Sequence, residues 1–72
     1  MEAKTVAVNG RKLAAAVRLK IGGRTLNAAS TEAGVHRSSL GAIVMIQHKH
    51  LYPDTLEAVC AWLRREPRDF TL

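Results

Sequence analysis

The stretch Thr25-Leu26-Asn27-Ala28-Ala29-Ser30-Thr31-Glu32-Ala33-Gly34-Val35-His36-Arg37-Ser38-Ser39-Leu40-Gly41-Ala42-Ile43 decides how this chain folds. Thr25 is a capping residue, and the segment Leu26 to Ala33 reads as a helix that stops at Gly34, a residue able to take the positive φ of a tight turn. A further helix follows from about Arg37 to Met45, with Leu40 and Ile43 turned inward. Helices crossing at a steep angle need small residues where their backbones meet, and Ala29, Ser30 and Ala33 supply them. Val35 plugs the turn into the core. The residues left outward on the later helix are His36, Arg37, Ser38, Gly41, Ala42 and Met45. Together these features predict a helix-turn-helix over residues 25–45.

Working back toward the start, Val6 and Val8 alternate on one side of Lys4 to Val8, which suits an extended arm or a short edge strand over residues 1–8. Asn9 is then the N-cap of a helix carrying Leu13, Ala16, Val17 and Ile21 at helical spacing. Gly22-Gly23 supplies the permissive backbone that stops it. Working forward, Ile46 to Tyr52 reads as a loop carrying His48, Lys49 and His50. A closing unit occupies residues 53–70. Pro53 precedes Asp54 as a cap, with Glu57 three residues later in a capping-box arrangement. Leu56, Val59, Cys60 and Leu63 form its buried stripe, and Trp62 lies off it, either half-buried by the C-terminal turn or on a self-association surface. Glu66-Pro67 ends the helix, and Pro67 to Phe70 makes one more turn that lays Phe70 on the core. The predicted fold is all-α: a compact bundle of four to five helices.

Seventy-two residues allow one domain with one small core. Apolar residues make up 47% of the chain and aromatics only 4%, so that core must be built from Ala, Leu, Val and Ile on packed helices. It is thin enough that a partner subunit or a bound ligand would add usefully to its stability. No run reaches the roughly 18 apolar residues needed to cross a bilayer, and the first ten residues lack the order of a signal peptide, so a cytoplasmic location is expected. The single cysteine, Cys60, has no partner for an internal disulfide and is expected to be a buried thiol.

Net charge is +5, unevenly spread: eight of the eleven Lys and Arg precede Asp54, opposed there only by Glu2 and Glu32. Most of the chain thus offers a positive face to a polyanion, whereas the closing helix does not. His48 and His50 fall short of a zinc ligand set, His36 has no nearby Asp partner, and no phosphate-cradling glycine pattern occurs. No catalytic residue, metal, cofactor or small-molecule ligand is therefore expected, and the chain does not read as an enzyme.

The pair Ala29-Ser30, the turn Ala33-Gly34-Val35, the run Arg37-Ser38-Ser39-Leu40 and the segment Pro53 to Leu63 followed by Pro67-Arg68-Asp69-Phe70 resemble the lambda-repressor-like helix-turn-helix family of phage repressors and Cro proteins. The closing segment resembles that of small actinobacterial and phage regulators. The resemblance spans about Asn9 to Phe70. Departures are Ala29-Ser30 for the usual Leu-Ala, His36 for a Ser cap, and the apolar Val44-Met45-Ile46 where polar residues are usual. That run could extend the core, touch thymine methyls or form a protein interface.

The resemblance implies sequence-specific binding of a double-stranded DNA operator and repression by occupancy, with the helix after Gly34 in the major groove. It places His36, Arg37, Ser38, Ser39 and Ala42 against bases, with Arg37 able to hold a guanine bidentately. It places Arg24, Thr25, Leu26, Lys49 and His48 against phosphates, the free amides at the Thr25 helix start being a natural anion site. Arg11, Lys12, Arg18 and Lys20 read as a solvated helix face. Family members usually dimerise on a pseudo-palindrome, and the sequence leaves monomer and homodimer open. The chain ends soon after the DNA-binding unit, so no cleavable or ligand-sensing domain is expected. A nucleoid location, in the host cytoplasm if phage-encoded, would follow. The alternatives are an excisionase-like or other architectural DNA-bending factor, or an interaction module, antitoxin or anti-repressor, that reuses the fold to bind protein.

Overall fold

The computed structural model describes residues 4–45 and 49–72. The described residues form β1 (Val6–Ala7), α1 (Gly10–Ile21), α2 (Leu26–Ala33), α3 (Arg37–Val44), β2 (His50–Leu51) and α4 (Pro53–Leu63), then a 3-10 turn over Pro67–Asp69. The fold is a small all-α bundle carrying a two-stranded antiparallel sheet, with Val6 opposite Leu51 and Ala7 opposite His50. No helix among these residues is long and apolar enough to cross a membrane.

Each early helix begins where its cap places it. The Asn9 side chain accepts the Lys12 amide of α1, and the Thr25 hydroxyl accepts the Ala28 amide of α2. Each bond satisfies one of the amides a helix start leaves open, a contribution of about 1 kcal/mol. Gly22 ends α1 at φ 60 and Gly34 ends α2 at φ 70. At Gly34 the left-handed conformation lets its amide reach the carbonyls of Ser30 and Thr31, so the chain reverses within three residues before α3. Gly34→Val should therefore lower stability by roughly 1 kcal/mol or more, read by chemical denaturation, because a β-branched residue is strained at that φ. Unaltered stability would contradict this assignment of the turn.

The core is formed by Leu13 and Val17 of α1, Ala29 of α2, Val35 of the turn, Leu40 and Ile43 of α3, Leu56, Val59, Cys60 and Trp62 of α4, plus Val8, Leu51 and Phe70. Cys60 is buried, as the sequence predicts, and burial pushes its thiol above its ordinary range. Phe70 closes the core from the C-terminal turn, as its sequence position predicts.

Several local expectations are corrected. Helix α4 starts two residues earlier than the Asp54 cap implies: Tyr52 is the N-cap with no side-chain bond, Pro53 opens the helix, and Asp54 lies within its first turn. Pro53 suits that place because the first helical position needs no amide hydrogen. The helix ends at Leu63 and not at Glu66-Pro67, because Arg64 turns left-handed at φ 57 and its amide, with that of Arg65, closes the end on Ala61 and Cys60. Trp62 joins the buried stripe while Leu63 stays half-buried. The expected loop before α4 contains β2, since Leu51 is buried against the core and β1 needs a partner for its backbone.

Candidate nucleic-acid interface

Arg37 opens α3, and its exposed guanidinium donates from Nη1 to Oδ1 of Asn27 at 3.2 Å. Asn27 is the second residue of α2, so the bond ties the starts of the two helices together while Arg37 stays exposed. Beside Asn27 lies the open first turn of α2. Thr25 accepts the amides of Ala28 and Ala29 through its hydroxyl and carbonyl, and the amides of Leu26 and Asn27 precede the first intrahelical bond. The Leu26 side chain itself packs partly against the core, so only its amide is suited to an anion.

His36 caps α3 by accepting the Ser38 amide at Nδ1, 3.1 Å away, and the Ser38 hydroxyl lies 2.6 Å from the same nitrogen. An Nδ1 that accepts a backbone N–H carries no proton, so the ring hydrogen sits on Nε2 and remains available as a donor. His36 and Ser38 are thus a cap and its partner first, and face solvent beside Arg37. Ser39 is half-buried and lines a groove of about 300 Å³ with Thr5, His50, Leu51, Tyr52 and Thr55. Ala42 is half-buried. Gly41, expected on the outward face, instead meets α2: a Cβ there would stand 3.2 Å from Leu26 Cδ2. Its lack of a side chain serves helix packing.

The expected phosphate ligands divide. Lys49 is exposed just ahead of β2, its carbonyl holding the Val8 amide. His48 lies outside the described residues. Arg24, expected to face phosphate, is turned back onto the protein: Nε and Nη2 donate to the carbonyls of Ile21 and Lys20, and Nη1 pairs with Glu32. Three of its five donors are thereby engaged within the protein.

The other oxygen of Glu32 accepts the Trp62 indole N–H at 2.9 Å. A buried indole needs an acceptor, and Glu32 is the one carboxylate between Glu2 and Asp54, which is the signal that could have linked them. These contacts, the Trp62 bond first and Arg24 second, hold the Glu32 carboxyl below its ordinary range. A depressed carboxylate contributes stability that is present above the unfolded-chain value and lost as pH falls through the folded one. Trp62 emission should accordingly change in an acid step with its midpoint below the usual 4.5 for a free Glu side chain. In Glu32→Gln that step should be absent. A midpoint at or above the ordinary value, or an unchanged step in the variant, would contradict the contact.

Arg18, expected on a solvated face, reaches α3 and donates to the Val44 carbonyl at 2.8 Å. A cation there satisfies an open carbonyl and complements the negative end of the helix dipole. The apolar run after Ile43 divides: Val44 packs on the core, Met45 is 65% exposed, and Ile46 lies outside the described residues. Comparison of the chain with family models, with curated proteins and with solved structures found no match.

Proposed function

We propose that this protein binds double-stranded DNA sequence-specifically through α3 and acts as a Cro-like transcriptional regulator by occupying its operator in the cytoplasm. The observation that carries the reading is the Asn27–Arg37 pair. It fixes an exposed arginine on the first turn of a helix that follows a three-residue turn, next to the open amides of α2. Such a guanidinium can read guanine O6 and N7, while the α2 amides and Lys49 hold the flanking phosphates. The excess of Lys and Arg before Asp54 favours the approach of a polyanion.

Selection from a pool of randomised duplexes, repeated at two salt concentrations, tests this reading. The expected outcome is an enriched motif that survives the higher salt with reduced affinity. Binding that enriches no motif and vanishes with salt would replace it with an architectural role. Absence of binding at either salt would replace it with a protein-interaction role.

A further inference from the structure

Helix α3 is tied to different helices at its two ends. At its start Arg37 donates to Asn27 of α2, and one turn on Gly41 lies against Leu26 of the same helix. At its end the Val44 carbonyl accepts Nη2 of Arg18, which stands 26 residues earlier on α1, at 2.8 Å. Between these ties Leu40 and Ile43, three residues apart on one stripe, are the residues of α3 buried in the core. Two adjacent side chains fix which side of an eight-residue helix faces inward, but they give only a short lever against tilting of its axis. Arg18 lengthens that lever. It rises from the last turn of α1, a helix held by the buried Leu13, Ala14 and Val17. Helix α3 has no basic residue in its own last turn, so the cation opposite its negative end comes from α1. The bond is charge-assisted and engages a carbonyl that the helix end leaves open.

We infer, on the DNA-binding reading, that Arg18 is a positioning residue for base recognition: it touches no nucleic acid but sets the angle at which the second turn of α3 enters the major groove. An eight-residue helix is about 12 Å long, so a tilt that pivots at the Asn27–Arg37 tie displaces Ala42 and Met45 more than Arg37. Arg18 therefore governs the base pairs that face the second turn, while a guanine read by Arg37 is nearly indifferent to it.

Two variants of the full chain test the assignment. Arg18→Met keeps an aliphatic stem and removes every donor, whereas Arg18→Lys keeps the cation and a donor. Each is titrated, below its melting temperature, against the selected duplex and a panel in which every base pair is replaced singly, at several salt concentrations. Arg18→Met should reduce discrimination roughly threefold to tenfold at base pairs other than those lost in Arg37→Ala, with the salt slope kept. Arg18→Lys should recover most of that discrimination. In DNA-free Arg18→Met, amide exchange should quicken in the last turn of α3 and not in α2. An unchanged discrimination profile in Arg18→Met overturns the inference, since the bond would then serve the fold alone. Equal loss on every duplex with a salt slope reduced by about 1 overturns it as well, because Arg18 would then be a phosphate ligand. A parent chain that selects no duplex removes the DNA-binding reading and this role with it. Unchanged amide exchange in Arg18→Met removes this role alone.

Discussion

Phe70→Ala should lower the stability of the domain by about 3–5 kcal/mol, the usual range for emptying a buried aromatic site. A single core in a chain of this length rarely supplies more than about 3–5 kcal/mol, so the variant should be partly unfolded at room temperature. The size of the effect follows from where Phe70 stands. It is 1% exposed at the C-terminal turn, it is one of three aromatic residues in the chain, and its carbonyl receives the Asn9 amide that precedes α1. Few neighbours can collapse into the space it leaves, because Pro67 and the short 3-10 turn fix its backbone. Urea unfolding followed by far-UV circular dichroism measures the loss, with Phe70→Leu expected to recover a large part of it. A loss under about 1 kcal/mol would mean that the C-terminal turn does not close this core.

Arg37→Ala should cost about 1–3 kcal/mol on the selected duplex and much less on a scrambled one, since a base contact supports only the matching sequence. Lys49→Ala should weaken both duplexes alike and reduce the log-log salt slope by about 1, as removal of a phosphate contact does. Asn27 adds a check that a phosphate-directed arginine would not pass: Asn27→Ala should erode discrimination with little change in salt slope, because it frees the guanidinium held at 3.2 Å. Anisotropy titrations of the variants at several salt concentrations give all three quantities. Equal loss on both duplexes from Arg37→Ala would remove Arg37 from base recognition.

The parts of this fold that could be read in the sequence are those whose cause is local. Asn9 and Thr25 bond amides three residues ahead, and Gly34 takes its left-handed turn from its own missing side chain. Leu26–Ala33 falls where the cap and the glycine place it. The contacts that escaped run between distant segments. Arg18 meets the Val44 carbonyl, Trp62 meets Glu32, Asn27 meets Arg37, and periodicity assigns the exposed member of each pair only to solvent. Arg64 escaped for another reason. A left-handed arginine carries no compositional mark, unlike the glycine that usually ends a helix. At the candidate site the Arg24–Glu32 pair was not legible, because nothing local shows that Glu32 lies within reach of Arg24.

The segment Val6 to Asn9 is sewn on one side to Lys49, His50 and Leu51, and on the other to Phe70, Thr71 and Leu72. Those three stretches are remote from one another along the chain, whereas each helix forms among near neighbours. Closing such long loops is entropically unfavourable until the helices already hold the ends together. The seam is therefore a late latch in assembly. Helices can form and begin to dock before it exists, but neither of its flanks can leave without loosening the other, which joins the first turn of α1 and the closing segment into one cooperative unit.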